Sequence, residues 1–389
     1  MIYLDNAATT QLDPEVFEAM QPYLRQEYGN PGSMHQMGRA AERAVENARE
    51  QVADFLGCQP TEVIFTSGGT EANNTALFGV RDHLTKSGRQ HILISSVEHD
   101  SINAASGAMM KHGFDVETIP VNRRGSVEMH TVTGMIRQDT GLVSVMYVNN
   151  ETGSRNDVIS IGNLCRSKGI IFHTDCVQAA GVFSIPEIIA SSDLASISSH
   201  KIHGPKGVGA LYVRSSLSKG QLFQPLIYGG HAQEFGLRGG TANVPGIVGF
   251  GVACQLSKSY KYSGGLKKKL YLALRNKLYE RGLSDRLHVN GVRPSDRGKT
   301  LNIRIDGVDS ESLLLLLDAN GVCVSTGSAC RSLEIQPSHT LTSMGLSEEE
   351  ARSSFRISFS RMNTPEEAVR AGEIIADCTG ILLESSDIS

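Results

Sequence analysis

A short apolar run followed by a turn rich in glycine, proline and lysine lies near the middle of the chain. It reads Leu194-Ala195-Ser196-Ile197-Ser198-Ser199-His200-Lys201-Ile202-His203-Gly204-Pro205-Lys206-Gly207. The first five residues are apolar or small and predict a buried strand. Lysine is a surface residue in most proteins, so a lysine held in a tight turn directly after a buried strand is unusual. This stretch indicates a sheet whose strand ends carry functional groups.

Similar short runs occur on both sides of this stretch and alternate with helical patterns. The strand candidates are Val63–Thr66, His91–Ser95, Leu142–Val148, Ile170–Thr174, Leu194–Ser198 and Val208–Val213. Helices are predicted at Ser33–Leu56, which stops at Gly57, and at Glu71–Leu84 and Val158–Lys168. Strands that alternate with helices predict an α/β fold with a mainly parallel sheet covered on both faces. Ligands of such sheets bind at the carboxyl ends of the strands.

The pattern changes after about residue 241. A helical stretch runs through Gln255, is interrupted at Gly264-Gly265 and resumes to about Arg281. Beyond it, strands are predicted at Leu301–Ile305 and Phe355–Phe359 and helices at Ser310–Asn320 and Pro365–Asp377. We therefore place a domain change near residue 258.

Composition limits the class of protein. The chain has 389 residues, with 37 Lys plus Arg against 41 Asp plus Glu, so its net charge is −4. This is not the basic surface of a nucleic-acid-binding protein. Asp5 interrupts any apolar leader, and the longest aliphatic run, Leu313–Leu317, is far shorter than the ~20 residues of a membrane span. Seven cysteines, an odd and thinly spread number, favour free thiols in a reducing cytoplasm.

The segment Ser67-Gly68-Gly69-Thr70-Glu71 follows one strand candidate and opens a helix. Glycines allow the backbone to approach a phosphate closely, and a helix N-terminus attracts anions. The segment is neither a Walker loop nor a dinucleotide-binding fingerprint. Taken alone, it is equally well explained as a turn with an ordinary helix cap.

Two further strand ends carry candidate groups. Asp175 ends the strand Ile170–Thr174, where it is either a functional acid or a helix cap. In the turn after Ser198, a lysine with a lowered pKa could serve as a Schiff-base amine. The pattern does not decide between Lys201 and Lys206, and an exposed loop explains either lysine taken singly.

A fourth segment surrounds one cysteine with small polar residues, from Ser325 to Ser332. Such residues indicate an accessible thiol at Cys330, and the adjacent Arg331 would favour the thiolate. For a single cysteine, an incidental position in a polar loop is the simpler interpretation.

The combination is more specific than its parts. A phosphate cradle, a strand-end acid and a turn lysine occur in this order on an α/β frame. Pyridoxal 5'-phosphate needs a phosphate site, an anion beside its pyridine nitrogen and a lysine for its aldehyde. The set therefore indicates this cofactor, and the predicted site includes no metal.

The sequence resembles cysteine desulfurases of the NifS/IscS type, in the class V aminotransferase group of fold type I pyridoxal-phosphate enzymes. The resemblance runs in family order along nearly the whole chain. The matching stretches are Tyr3–Thr10, Gly29–Pro31, Thr66–Glu71, Glu98-His99, Asn149–Glu151, Asp175–Gln178, Ser198–Gly207, Leu237–Thr241, Ser325–Cys330 and Ser354–Arg356.

The resemblance implies a fold and an activity. The fold would be a fold type I transferase, with a large cofactor-binding domain of residues 13–257 and a smaller α+β domain of residues 1–12 and 258–389 that carries the catalytic-cysteine loop. The activity would be conversion of L-cysteine to L-alanine, with sulfur left on Cys330 as a persulfide. An Fe–S scaffold or a thiolation protein would accept the sulfur, and the sequence does not identify which.

The resemblance also assigns residues to the cofactor. Lys201, not Lys206, would hold the aldehyde, Asp175 would bind the pyridinium nitrogen, and His99 would stack on the ring and move protons. Asn150 and Gln178 would contact the ring. The phosphate would be held by Gly69, Thr70, Ser198 and His200.

The substrate and the partner subunit are assigned in the same way. Arg356 would grip the substrate carboxylate through a bidentate pair, with Asn150 beside it. Thr241 would complete the phosphate site of the neighbouring subunit, which implies a homodimer with shared active sites. The chain departs from its relatives at Phe235, where they carry Arg, and in a C-terminus without a Trp/His tail.

Three alternatives stay open at this point. A selenocysteine lyase or another class V aminotransferase-like enzyme would share the frame, although an aminotransferase would not need Cys330. A sulfur-relay or scaffold protein without cofactor chemistry would not need Lys201, Asp175 and His99. A papain-like thiol hydrolase would require a base beside Cys330.

Overall fold

The computed structural model describes residues 1–220, 222–230, 233–259, 265–327 and 337–386. The strands in these ranges are β1 (Ile2–Tyr3), β2 (Val63–Thr66), β3 (His91–Ser95), β4 (Asp115–Ile119), β5 (Thr140–Ser144), β6 (Ile171–Asp175), β7 (Leu194–Ser198), β8 (Gly209–Val213), β9 (Leu287–Asn290), β10 (Thr300–Ile305), β11 (Val322–Cys323) and β12 (Ser354–Ser358).

Helices connect most of these strands. Those in the described ranges are α1 (Pro14–Arg25), α2 (Gln36–Leu56), α3 (Gly69–Gly79), α4 (Arg81–Lys86), α5 (Asp100–Met110), α6 (Met129–Met135), α7 (Val158–Ser167), α8 (Pro186–Ser191), α9 (Ser215–Lys219), α10 (Val244–Ser259), α11 (Gly265–Glu280), α12 (Ser310–Ala319), α13 (His339–Ser343), α14 (Glu348–Arg352) and α15 (Pro365–Ser386).

Seven strands form the central sheet, in the order β2-β8-β7-β6-β5-β3-β4. Neighbours from β4 across to β7 pair in parallel, whereas β8 runs antiparallel to both β2 and β7. Apolar clusters pack on each face of this sheet. The predicted α/β fold with a mainly parallel sheet is therefore confirmed.

The inner strands are buried along their whole length, which is the pattern of a parallel sheet covered on both faces. The predicted strand Leu142–Val148 is regular only from Thr140 to Ser144, where β5 ends. Beyond Ser144 the chain still runs beside β6, because the backbone N–H of Val145 donates to the carbonyl of His173 (3.1 Å) and that of Tyr147 to the carbonyl of Asp175 (3.0 Å).

The predicted helix Glu71–Leu84 is two helices, α3 and α4, which meet at Val80. The Gly79 carbonyl accepts the backbone N–H of Gln224 (2.8 Å) instead of continuing the helical pattern. A Cβ at Gly79 would lie 2.4 Å from the Phe223 ring. A distant segment therefore breaks a helix that the local sequence would continue.

A second, three-stranded antiparallel sheet, β12-β10-β9, has its own apolar core. Ile2 and Leu4 join this core, and β1 pairs in parallel with β11. The separate core favours two domains, whereas the limits at residues 12/13 and 257/258 stay predictions.

The last helix, α15, extends beyond the predicted Asp377 to Ser386. Gly380 lies inside it, and a Cβ there would be 2.2 Å from Arg281 Nη1 on the neighbouring chain segment. Because that atom is the end of a flexible side chain, a larger residue at position 380 would require only that Arg281 shift. Within the described part of the chain, no helix is both long enough and apolar enough to traverse a membrane.

Candidate active site

A cavity of about 260 Å³ opens at the carboxyl ends of β6 and β7, next to the N-terminus of α3. Ten of the residues predicted for the site line it, although they come from distant parts of the chain. They are Gly69, Thr70, His99, Asn150, Asp175, Gln178, Ser198, His200, Lys201 and Arg356.

Asp175 supplies a fixed anion at the floor of this cavity. It ends β6 and is buried, and both carboxylate oxygens have donors. Oδ1 accepts the backbone N–H of Val177 (2.8 Å), and Oδ2 accepts Nδ2 of Asn73 (2.7 Å). A carboxylate held in this way can bind a protonated ring nitrogen without rearranging. The adjacent Cys176 is fully buried, and burial raises the pKa of its thiol, so it packs as a small apolar residue.

Lys201 points into the cavity, whereas Lys206 is exposed. A single 3₁₀ turn, Ser199–Lys201, follows β7 and directs the side chain inward. Its Nζ donates to the backbone carbonyls of Ala7 and Ala8, each at 2.6 Å. Of the two lysines that the sequence pattern left open, only Lys201 lines the cavity that Asp175 also lines, and its role as the Schiff-base amine stays a prediction.

The opposite end of the cavity suits an anion. The N-terminus of α3 presents Gly69 and Thr70, and the Ser198 Oγ is buried with no hydrogen-bond partner among the described residues. A Cβ at Gly209 would lie 2.8 Å from the Gly68 Cα, so the loop before α3 packs directly on the backbone of β8. Burial, reinforced by the positive charges of nearby lysines, lowers the pKa of His200 to about 4.

The N-terminal segment also holds His200. The backbone carbonyl of His200 accepts both the backbone N–H (3.0 Å) and the Oγ1–H (2.9 Å) of Thr10. The Nδ1 of His200 lies 3.1 Å from the Thr9 hydroxyl. The Gln178 Nε2 donates to the Ala7 carbonyl (2.9 Å), which leaves the buried Gln178 Oε1 without a partner among the described residues.

Arg356 brings a buried cation from β12 of the second sheet. Its Nη2 pairs with Asp5 Oδ1 (2.8 Å) and its Nη1 donates to the Asn150 carbonyl (3.1 Å). The Nε is buried and has no partner in the described ranges. A guanidinium with one free N–H on a cavity wall is suited to a carboxylate ligand.

Cys330 lies outside the described residues, but the chain on both sides of it is described. Ser325 exchanges two backbone hydrogen bonds with Arg356, at 2.6 and 3.1 Å. Ser338, after the segment, donates to the carboxylate of Glu151, which follows Asn150. Both flanking positions therefore contact residues at or beside the cavity.

Thr241 does not reach this cavity. It is exposed and lines a different cavity of about 330 Å³, with Ser67 and Arg49. At this second cavity, the Arg49 guanidinium bonds Glu234 and lies 5.0 Å from the ring of Phe235. The prediction that Thr241 serves a neighbouring subunit stays a prediction.

The sequence interpretation missed three polar contributors to the site: Asp5, Asn73 and Ser101. Asp5 stands in the N-terminal stretch that carried part of the resemblance, but its pairing with Arg356 spans the whole chain. Asn73 lies four residues after Gly69, on the same face of α3, and this spacing could have predicted it. Ser101 gave no signal, since a serine in the first turn of a helix is common.

A mainly parallel sheet with a buried carboxylate at the end of one strand (β6) and a lysine in the turn after the neighbouring strand (β7) is the arrangement of the fold type I pyridoxal-phosphate enzymes. Residues 2–370 match the aminotransferase class-V family, and the chain belongs to this family. Members of the family depend in general on pyridoxal phosphate.

Relatives of known sequence or structure cover nearly all of the chain. Cysteine desulfurase IscS from Methanosarcina thermophila is 40% identical over 389 residues, which are 100% of this chain and 94% of that protein. A solved NifS-like protein is 34% identical with a TM-score of 0.87, covering 98% of this chain and 99% of that one. SspA, solved in complex with cysteine, is 33% identical with a TM-score of 0.77, covering 92% and 99%.

Proposed function

We propose that this chain is a pyridoxal-phosphate-dependent cysteine desulfurase, which converts L-cysteine to L-alanine and receives the sulfur on Cys330. The observation that carries the proposal is that Lys201, Asp175 and Arg356 face one cavity. Relatives named cysteine desulfurase favour this activity over that of a selenocysteine lyase or an aminotransferase.

The polar atoms of the cavity fit the cofactor. The unpartnered Ser198 Oγ and the N-terminus of α3 would hold the phosphate, with Thr70 and His200. The carboxylate of Asp175 would hold the ring nitrogen, and Gln178 Oε1 is free to contact the ring's oxygen. When bound, the cofactor accepts the electron pair released at the substrate Cα.

Lys201 would hold the cofactor's aldehyde and, once the substrate amine displaces it, would move the Cα proton. The carbonyls of Ala7 and Ala8 orient its amine in the cavity. Both carbonyls accept hydrogen bonds only, so they hold the lysine without providing a competing acid. Orientation of a proton-transferring group by fixed backbone dipoles is a common source of catalytic rate.

Arg356 would bind the substrate carboxylate, with Asn150 beside it. Its free Nε and the Nη that now pairs with Asp5 lie on one side of the guanidinium fork, where a carboxylate can bind bidentately. This contact would place the substrate Cα beneath Lys201 and would reject substrates that lack a carboxylate.

Cys330 would attack the substrate sulfur as a thiolate. An S–S bond forms, the substrate C–S bond breaks and the remaining carbon skeleton takes up protons to become alanine. The balance is L-cysteine plus Cys330 thiol giving L-alanine plus Cys330 persulfide, so no external oxidant is needed. Arg331, the next residue in the sequence, would favour the thiolate that this step requires.

The proposed function also includes a subunit assembly and a sulfur acceptor. A homodimer would bring Thr241 of each subunit to the other subunit's phosphate site, and the exposure of Thr241 in the single chain supports this. An Fe–S scaffold or a thiolation protein would receive the persulfide sulfur. The cytoplasmic location stays a prediction.

The test is mass spectrometry of the protein after treatment with L-cysteine, together with assay of alanine. One additional sulfur atom is expected on Cys330, and Cys330→Ala should form no alanine. Cys323→Ala is the matched control, since it removes a partly exposed thiol from the strand that leads to the same segment. Alanine formation by Cys330→Ala, or a sulfur adduct confined to another cysteine, would contradict the proposal.

A further inference from the structure

A buried chain of polar side chains connects Asp175 with His99 beneath the cavity. Asp175 Oδ2 accepts Nδ2 of Asn73 at 2.7 Å, and the same Nδ2 donates to Ser101 Oγ at 2.9 Å. Ser101 Oγ lies 2.8 Å from His99 Nδ1. Asn73 is 1% exposed and Ser101 is 7% exposed, so water does not substitute for these contacts.

The direction of each hydrogen bond follows from the first. An ionised carboxylate only accepts, so the Asn73 amide must turn its NH₂ group toward Asp175. The second N–H of that group then goes to Ser101 Oγ, which accepts it. The Ser101 hydroxyl proton is left for His99 Nδ1, which also accepts the backbone N–H of Ser101 (3.1 Å). A nitrogen that accepts two donors carries no proton of its own.

We propose that Asn73 and Ser101 are positioning residues that hold His99 in the tautomer with its proton on Nε2. His99 lines the cavity, and the ring hydrogen bonds that it forms with described residues all involve Nδ1. His99 therefore presents a donor, not a lone pair, to whatever occupies the cavity. That this donor serves catalysis rests on the proposed function, whereas the tautomer itself rests on the hydrogen bonds alone.

A purely structural role explains the contacts less well. The Asn73 Oδ1 is buried and has no partner among the described residues. An unpaired buried amide oxygen is costly. The side-chain amide of Asn73 thus contributes its two N–H donors, while its carbonyl oxygen accepts no hydrogen bond from the described residues.

The test is ¹⁵N NMR of the full-length protein labelled at histidine, with His99→Gln to assign the resonance. In the wild type, Nε2 should resonate as a protonated nitrogen and Nδ1 as a hydrogen-bonded acceptor. Ser101→Ala should move Nδ1 toward the position of an unbonded acceptor, and Ser101→Thr, which retains a hydroxyl, should restore it. A protonated Nδ1 in the wild type, or no change in Ser101→Ala, would overturn the proposal.

Kinetics provide the second measurement. One hydrogen bond between neutral groups corresponds to roughly a two- to tenfold effect, so kcat for alanine formation should fall by about that factor in Ser101→Ala with little change in KM. Ser106→Ala is the matched control, because Ser106 is a buried serine of the same helix whose hydroxyl bonds the Asn103 carbonyl (2.9 Å).

The outcomes separate the two proposals. Equal losses of melting temperature in Ser101→Ala and Ser106→Ala, with kcat unchanged in both, would reduce Ser101 to a structural residue and refute its positioning role. A wild-type enzyme that forms no alanine from cysteine would refute the proposed function, while the NMR spectrum would still decide the tautomer of His99.

Discussion

Glu98, the residue before His99, is a fully buried carboxyl group that forms no ion pair with any described residue. Its Oε1 accepts the Ser95 hydroxyl (2.6 Å) and the Met146 backbone N–H (2.7 Å). Its Oε2 has no partner among the described residues. Burial raises the pKa of Glu98 from 4.5 to about 8, because two hydrogen bonds compensate only part of the lost hydration and the charge of Asp175 adds to the increase. Glu98 is therefore protonated at neutral pH.

The raised pKa makes stability depend on pH with a defined sign. Between pH 4.5 and about 8, the folded protein binds a proton at Glu98 that the unfolded chain has lost. The stabilisation is thus fully present below pH 4.5 and is lost as the pH rises toward 8. At about 1.4 kcal/mol per pKa unit, the loss between pH 5.5 and 8 is about 3 kcal/mol.

The substitution Glu98→Gln tests this directly. Glutamine has the shape of the protonated acid, so Oε1 keeps both donors and the NH₂ group takes the place of the protonated oxygen. The variant should lack the pH dependence that Glu98 contributes. For 389 residues at about 2.1 cal/mol/K per residue, about 3 kcal/mol corresponds to about 4 °C in melting temperature.

The assay is thermal unfolding of cofactor-free protein by far-UV circular dichroism at pH 5.5 and pH 8, since the chain has no tryptophan for fluorescence. The melting temperature of Glu98→Gln relative to wild type should rise by about 4 °C between these pH values. Glu18→Gln, which changes an exposed glutamate, should show no such increase. Parallel curves for wild type and Glu98→Gln would refute a titration of Glu98 in this range.

Two further predictions follow from buried cations. Arg356→Lys replaces the planar guanidinium by a single ammonium group. The KM for L-cysteine should therefore rise by about ten- to a hundredfold in steady-state assays, with the melting temperature nearly unchanged. An unaltered KM would show that Arg356 does not bind the substrate. Burial, followed by the charges of Lys201 and Arg356, lowers the pKa of Lys299 from 10.5 to about 7, so the contribution of Lys299 to stability should increase from pH 7 to pH 10.5. Lys299→Met should therefore raise the melting temperature, relative to wild type, more at pH 7 than at pH 10. An equal increase at both pH values would contradict that pKa.

The inner strands of the central sheet could be predicted because they are buried on both faces and their sequences are short runs rich in apolar and small residues. Strand β4 could not, since Asp115 and Glu117 face solvent at the sheet edge and pair with Arg137. Charged residues are ordinary at sheet edges, where they discourage further pairing. The break between α3 and α4 could not be predicted from the local sequence. It depends on contacts with the segment around Phe223, which lies far away in the chain.

The candidate site could be predicted where its groups stand at strand ends. Asp175 and Ser198 are positioned by β6 and β7 themselves, so local pattern and topology locate them together. The orientation of Lys201 depends instead on the carbonyls of Ala7 and Ala8, almost two hundred positions away. No periodicity in the turn distinguishes Lys201 from Lys206. From the sequence, only the family resemblance selected Lys201.

The N-terminal segment connects the two halves of the site. Ala7 and Ala8 hold the amine of Lys201, and Asp5 pairs with the guanidinium of Arg356 from the second sheet. A substrate carboxylate that binds Arg356 must compete with Asp5, two residues from the carbonyls that orient the lysine. Since Asp5 is also bridged to Ser358 of β12, a substrate carboxylate bound at Arg356 would act on the same short segment that holds the Lys201 amine. Under the proposed function, recognition of the carboxylate and orientation of Lys201 would therefore be linked through residues 5–8. A substrate without a carboxylate would leave Asp5 paired with Arg356 and would not act on Lys201 through this segment.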